Sequence, residues 1–397
     1  MIKDLDNFDG LNITINTTED CNLRCKYCYE INKKPRSIKY EDCVKFIDLI
    51  FDTDNPANVP DDHLWIYEGL IIDFIGGDSL MDVKILDKIL RYVSYKYNIS
   101  NKFRKRGWRA SISSNGTLFE KPEVRAFCEK WHEVLSLGVS IDGCPEIHDM
   151  NRIFPDGRGS MATIMKWWPW YQNWFPSSAF GTKSTCAKNS IPYLYESLKF
   201  MHEDLGLKYI HQNFIMEDTG CTEEDYKLLD EQLAKCVDYA LEHRHDLYWS
   251  MIDQRYLHGQ KPEDNMGDFM NKGHCGSGCM PALSINGDIY PCFRWLPHTQ
   301  QEGAGKMCTG NIRDGFIYQT NFNAVQEGSK RINCTKDPKC LNCEIENLCP
   351  YCIGGCYAIF NEFKRATYIC EITKLQVKWA KEYWRRYDEL EGTVNGN

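Results

Sequence analysis

Between residues 11 and 215 the chain alternates, six times over, a short strand pattern with a helical one. LNITINT (11–17) has period-two character, YEDCVKFIDLIF (40–51) is helical, and LIIDFIGG (70–77) is a near-continuous apolar strand ending in two glycines. WRASISSNG, LSLGVSIDG, AFGTKSTCA and LKYIHQNFIME supply the later strands. Between them lie VKILDKILRYVSYKY, EVRAFCEKWHEV, SMATIMKWWPWYQNWF and IPYLYESLKFMHEDLG as helices, the third interrupted at Pro169. This alternation predicts a parallel sheet covered by helices. Ligands in such folds bind at the carboxyl ends of the strands. Three of these ends are polar and carry glycine: GGDS (76–79), SSNG (113–116) and SIDG (140–143). They share one face with the loop that follows the first strand.

That loop reads TTEDCNLRCKYCYE (17–30), with Cys21, Cys25 and Cys28 inside eight residues and no fourth cysteine nearby. The whole chain of 397 residues holds twenty cysteines. In a reducing compartment such clusters bind metal or do catalysis more often than they form disulfides. A structural zinc site takes four ligands, commonly as two pairs, and no partner pair or histidine lies near this loop. A four-iron cluster takes four thiolates; three leave one iron open to a substrate or cofactor. Cys43, Cys128, Cys144, Cys186, Cys221 and Cys236 are scattered and are read as small buried hydrophobes.

CNLRCKYCYE resembles the Cx3Cx2C motif of the radical S-adenosylmethionine enzymes, including an aromatic residue, Tyr27, before the last cysteine. Gly76-Gly77-Asp78 resembles that family's Gly-Gly-Glu segment, with Asp78 one methylene short of its Glu. Ser114-Asn115-Gly116 resembles its (S/T)NG turn. Ser140-Ile141-Asp142-Gly143, followed by His148 and Arg152, resembles its S-x-D-G…HD…R segment. The resemblance implies an α/β fold, a partial (β/α)6 TIM-like barrel, with the cluster on Cys21, Cys25 and Cys28. It implies S-adenosylmethionine held near Tyr27, Gly76, Gly77, Asp78, Ser114, Asn115, Ser140 and Arg152. The cofactor carries the difficult chemistry, a 5′-deoxyadenosyl radical, and the protein orients it and excludes side reactions.

TEEDYKLLDEQLAKCVDYALEH (222–243) reads as a long amphipathic helix; composition then shifts to short Cys- and Gly-rich segments, and a last helix, EITKLQVKWAKEYWRRYDEL, closes the chain. Cys275, Cys279 and Cys292, then Cys340, Cys343, Cys349, Cys352 and Cys356, then Cys370 form the rich region, with Cys308 and Cys334 between the blocks. The CxxC at 340–343 alone is compatible with a zinc ribbon, which would leave most of the other thiols without a role. The layout, with Gly287 and Cys292 in G-x4-C and GNI at 310–312, resembles the SPASM domain, which binds two auxiliary four-iron clusters. Carried over, Cys275, Cys279, Cys292 and either Cys352 or Cys356 serve one cluster, and Cys340, Cys343, Cys349 and Cys370 the other. With the barrel cluster this makes three. The domain division is then 1–215 barrel, 216–270 helical linker, 271–375 SPASM domain, and 376–397 closing helix and tail.

The resemblance extends to peptide maturases, most closely those that form thioethers of the sactipeptide or ranthipeptide type in ribosomally made precursors. Carbon–carbon or ether crosslinking, epimerisation and backbone splicing are the alternatives within that class. Sulfatase maturases carry an Asp after the cysteine that closes G-x4-C; here that residue is Phe293, which disfavours sulfatase maturation. A polycluster electron-transfer protein is the rival from another class, but it needs no strand-end cofactor pocket. Asp142 and Asp288 are candidate proton acceptors, each also readable as a turn residue. The Trp-rich KWWPWYQNWF (166–175) is read as a wall helix or as a peptide-docking surface. His202, His211, His243 and His245 are read as structural or surface groups.

Expected partners are the precursor peptide, a flavodoxin or ferredoxin as reductant, and a separate leader-binding protein, since ten residues before the first strand leave no room there for a leader-binding domain. A net charge of −9 with no basic stripe excludes a nucleic-acid partner. No apolar run of membrane-spanning length and no signal peptide is present, so a cytoplasmic location is expected.

Overall fold

In the computed structural model, residues 10–54, 56, 67–176, 181–253, 277–300, 307–315, 318–330, 335–349 and 351–394 are described. Cys275 and Cys334 lie outside them. The strands of the alternating region are β1 (Leu11–Thr18), β2 (Gly69–Gly76), β3 (Gly107–Ser114), β4 (Leu135–Val139), β5 (Thr182–Cys186) and β6 (Tyr209–Phe214). The helices that cover them are α1 (Tyr40–Asp52), α2 (Val83–Ile99), α3 (Pro122–Trp131), α4 (Pro145–Asn151), α5 (Met161–Lys166), α6 (Trp168–Trp174) and α7 (Leu194–Lys199). β1 to β4 pair in parallel and in order. β5 and β6 begin a second sheet, completed by β7 (Tyr248–Trp249). The two sheets meet at a parallel bridge between Ser140 and Lys183, where Ile141 N also donates to Lys183 O at 3.1 Å, so the barrel wall continues from β4 to β5.

Period-two alternation divides each strand between helices and lumen. Leu11, Ile13 and Ile15 are fully buried in the core shared with Phe46, Ile47 and Ile50 of α1. Their alternates Asn12, Thr14 and Asn16 face the other way, into the barrel. The register carries this polarity across the sheet: Thr14 stands beside Asp73, Asp73 beside Ser111, and Ser111 beside Ser136. The lumen is therefore polar, and Ser113, Lys183 and Asn213 on its wall are exposed.

Two helical stretches depart from one regular α-helix. The Trp-rich stretch breaks at Trp167, between α5 and α6, because Pro169 lacks an N–H and starts a new first turn. Trp168 and Tyr171 are buried, and Tyr171 donates to Leu137 O at 2.7 Å, so this helix is a wall element. The 191–206 segment is a 3-10 turn around Pro192, then α7, then a π-helical turn over Phe200–Asp204. α8 (Glu223–Glu242) is a continuous helix whose start is fixed by a capping box between Thr222 and Asp225.

The C-terminal region adds β8 (Ala282–Leu283), β9 (Asp288–Tyr290) and β10 (Gly310–Asn311). β8 pairs in parallel with β1, so the barrel sheet runs on into this region in the order β10-β9-β8-β1-β2-β3-β4. Among the described residues four helices follow: α9 (Gln319–Ser329), α10 (Pro338–Leu341), α11 (Ile353–Phe360) and α12 (Cys370–Val394). α12 starts at Cys370 and lies along α8, tied by Lys378 and Trp379 to Asp230 at 2.7 and 2.6 Å and by Arg386 to Asp238 at 2.7 Å. Among the described residues, no helix is long and apolar enough to cross a membrane.

Candidate functional site

The cysteine loop is held on both flanks by backbone. Arg24 N donates to Ile153 O at 2.7 Å and Lys26 N to Asn151 O at 3.0 Å, which fastens the loop to the end of α4. On the other side, Gly77 N donates to Thr18 O at 3.1 Å and Asp78 N to Asp20 O at 2.9 Å. This approach requires glycine: a Cβ at Gly77 would fall 1.9 Å from Asp20 O, and one at Gly76 1.9 Å from Thr18 O.

Asp78 does not stand open at the strand end. Its carboxylate is buried and accepts from Leu80 N at 3.1 Å, Ser114 Oγ at 2.9 Å and Asn115 N at 2.9 Å. Burial pushes its pKa up, against these hydrogen bonds. The side chain thus locks the GGD turn to the SNG turn. Asn115 carries the link onward, donating to Asn22 Oδ1 at 2.9 Å and lying 3.8 Å from Cys21 Sγ.

The third turn is centred on Asp142. One oxygen accepts from Thr185 N at 2.9 Å; the other takes Arg152 Nε at 3.0 Å and the Tyr27 hydroxyl. Arg152 also lies over the Tyr27 ring, 5.4 Å from its centroid. Burial raises the Tyr27 hydroxyl pKa well above its usual value. His148 Nδ1 accepts from Asp142 N at 3.4 Å, while Nε2 meets Ser160 Oγ at 2.9 Å. Burial pushes His148 down to about 4. Asp142 thus ties Tyr27, Arg152 and Thr185 together at this turn. Ser140 N donates to Ser114 O at 2.9 Å, so the SNG and SID turns are also joined. Asp288 sits apart, in β9, accepting from Asn311 Nδ2 at 2.9 Å.

The three loop thiols fit an iron cluster by their donor chemistry. Cys21 is pushed up to about 12 by burial and by Asp78, and Cys25 is raised by burial. Thiols held protonated by their surroundings become ligands when a metal takes the proton's place. Lys33 stands beside Cys28 and Cys21.

A buried acid–base pair beside the loop had no signal in local sequence. Glu30, two residues after Cys28, is 4% exposed, and its Oε1 lies 3.6 Å from His298 Nε2. Asn16 Nδ2 lies 3.2 Å from His298 Nδ1, and among the described residues His298 Nε2 is buried without a hydrogen-bond partner. Among the described residues, Glu30 Oε2 and Asn16 Oδ1 are buried without a hydrogen-bond partner. Unpaired buried polar atoms are costly, and here they sit at the lumen end of β1. His298 lies 268 residues from Glu30 in sequence, so nothing local marks the pair.

In the C-terminal region, Cys340, Cys343, Cys349 and Cys370 line one small cavity with Arg365. Burial pushes Cys349 up to about 11 and raises Cys340 and Cys370. Four thiols converging on one cavity fit a closed four-iron site. Arg365 braces it, donating to Glu346 Oε1 at 2.7 Å and Cys349 O at 3.1 Å. Cys279, Cys292 and Cys356 are buried. Cys292 and Cys356 share a hydrophobic cluster with Trp295 and Tyr357, whereas Cys352 caps α11, its sulfur accepting from Gly355 N at 3.4 Å. Cys308 Sγ donates to Gly310 O at 3.0 Å. Phe293 faces Tyr29, with ring centroids 6.2 Å apart.

No family model matches the chain. It is 26% identical over 369 residues to the AdoMet-dependent heme synthase of Oleidesulfovibrio alaskensis, covering 86% of this chain and 81% of that one. It is 22% identical over 355 residues to a cysteine-type anaerobic sulfatase-maturating enzyme of Clostridium novyi, covering 85% of each. Among solved structures, native anSMEcpe with bound AdoMet superposes with a TM-score of 0.70 at 16% identity, covering 96% of this chain and 98% of that one. Streptococcus suis SuiB bound to the precursor peptide SuiA superposes with a TM-score of 0.58 at 16% identity, covering 90% and 75%. These likenesses and the cysteine loop on its barrel agree: the chain is an enzyme with the fold of the radical S-adenosylmethionine and SPASM proteins and is similar in sequence to them over most of its length.

Proposed function

We propose that the chain is a maturase that modifies a ribosomally made precursor peptide, forming thioether crosslinks. The observation that carries the peptide reading is the polar lumen, from Thr14, Asp73 and Ser111 in register to exposed Ser113, Lys183 and Asn213. Such a surface suits peptide amides and a thiol. A porphyrin, the substrate class suggested by the heme synthase relative, would bury a broad apolar macrocycle, for which this wall offers little. Sulfatase maturation, suggested by the other relative, is disfavoured by Phe293, which has no titratable group where that class carries an acid.

In this reading Cys21, Cys25 and Cys28 hold the cluster that binds S-adenosylmethionine. Together, when bound, they supply the 5′-deoxyadenosyl radical that takes a hydrogen atom from the substrate. Gly76, Gly77, Asp78, Ser114, Asn115, Ser140, Arg152 and Tyr27 shape the cofactor pocket; Asp78 acts through its turn rather than by direct contact. Glu30 Oε2 takes the proton released when a substrate thiol bonds to the carbon radical, and an auxiliary iron–sulfur cluster, when bound, would accept the second electron of this oxidation. This assignment replaces Asp142 and Asp288 as proton acceptors. Cys340, Cys343, Cys349 and Cys370 hold one auxiliary cluster; Cys275, Cys279, Cys292 and Cys356 hold a second, with Cys352 as the spare. A flavodoxin or ferredoxin supplies electrons in a reducing cytoplasm, and a separate protein presents the leader. The barrel (1–215), linker (216–270) and SPASM domain (271–375) keep the proposed division, with α12 bridging the last boundary.

The test is the intact mass of a precursor peptide encoded beside the gene, after anaerobic co-expression. Loss of two hydrogens per site with matching loss of free thiols supports thioether formation. An unchanged peptide, together with conversion of an added iron-porphyrin, would overturn the reading.

A further inference from the structure

At the end of the barrel opposite the cysteine loop, His202, His243 and Asp246 converge. His202 comes from the π-helical turn Phe200–Asp204, which precedes β6; His243 caps the C-terminus of α8, and Asp246 lies in the turn that leads into β7. One ligand atom from each lies within 4.8 Å of the others. His202 Nε2 is 3.6 Å from Asp246 Oδ2, and His243 Nδ1 is 3.7 Å from Asp246 Oδ1. These separations are too long for hydrogen bonds. Each is near the edge of a tetrahedron with bonds of about 2.0–2.1 Å, about 3.3 Å; because they use different oxygens of Asp246, a small turn of its exposed carboxylate would bring one oxygen toward both imidazoles.

A second observation concerns where the protons are. Tyr239 Oη donates to Glu203 Oε1 at 3.1 Å, and the same oxygen meets His202 Nδ1 at 2.6 Å. A phenol has one proton and a carboxylate only accepts, so His202 Nδ1 carries the hydrogen and donates to Tyr239. That leaves the lone pair of neutral His202 on Nε2, aimed at the Asp246 carboxylate. A bare nitrogen facing a carboxylate repels it unless a metal ion, or the proton of an imidazolium, lies between. The Glu203–Tyr239–His202 relay has the form of the outer contacts that orient a metal-binding histidine and set its tautomer. π-helical turns are also frequent at functional sites.

We propose that His202, His243 and Asp246 bind a divalent transition-metal ion of the zinc class, with water in the fourth position. Two imidazoles and one carboxylate are ligand types that zinc accepts. Asp246 is half exposed and His243 a third exposed, so an ion has a path from solvent. The ion would pin the π-turn to the C-terminus of α8, remote from the iron sites.

The experiment uses the holoenzyme with its iron–sulfur sites filled, treated with chelator and then dialysed against zinc. The expected result is one zinc per chain beyond the iron content, with nitrogen and oxygen ligands only by X-ray absorption. Asp246→Asn and His243→Ala should lose that zinc and keep their iron. Tyr239→Phe, which removes the relay while keeping the ring, should weaken binding about 10–100-fold. No bound zinc, zinc with sulfur ligands, or equal binding by Asp246→Asn would overturn the proposal; the first would leave His202 and Asp246 as an ordinary ion pair.

Discussion

The chain carries two cysteine-rich regions, and they are built in different ways. Around Cys21, Cys25 and Cys28 the protein supplies a frame of its own. Asp78 joins two turns, Asn115 reaches the loop, and Asp142 gathers Tyr27, Arg152 and Thr185. Behind that frame lies the large barrel core of Leu, Ile and Phe. Between Cys340 and Cys370 regular structure is limited to the end of α10 and to α11, which packs in a separate cluster with Trp295, while the apolar group next to Cys343 is small: Ile345, Val377 and Ala380. The four cysteines line a small cavity, Cys340 buried and Cys343, Cys349 and Cys370 partly buried. On the proposed ligand assignment, the first region is a preformed site that would receive a cluster, and the second would gain part of its fold from the metal it binds, because binding energy there is folding energy.

Several substitutions sharpen this contrast. Cys21→Ser should reduce 5′-deoxyadenosine formation to background and remove about four irons per chain, while circular dichroism shows the barrel unchanged. Cys343→Ser should also remove about four irons, but here limited proteolysis should open the chain between 335 and 370. Asp142→Ala strips the partner from buried Arg152 and should cost about 3–5 kcal/mol in denaturant unfolding. A loss under 1 kcal/mol would show that the frame does not rest on this ion pair. The smallest effect is a pH dependence. His148 is held at about 4 against 6.5 in the free side chain. Its contribution is complete above about 6.5 and is lost as pH falls toward 4, about 3 kcal/mol in all. His148→Asn should flatten the stability profile in that window.

The same contrast explains what was legible in the sequence. The strand pattern at 11–17, the apolar run at 70–77 and the SSNG turn all mark β1 to β3, because period and turn chemistry are local signals. Pro169 announced the break between α5 and α6 for the same reason. The joining of the barrel sheet to β8 was not legible, since a two-residue strand has no period to read. Nor was the pairing of Glu30 with His298, or of His202 with Asp246. Those depend on how distant segments meet, and each residue alone looks like an ordinary polar side chain. Asp78 and Asp142 were visible as motif residues, but their roles as hubs followed only from the partners they acquire on folding.

The most direct test of the account is hydrogen exchange on the iron-free protein beside the fully loaded one. The account predicts equal protection in β1–β4 and α8 in both states, with protection across residues 335–370 only when iron is present. Loss of protection in both regions together, or in neither, would contradict it.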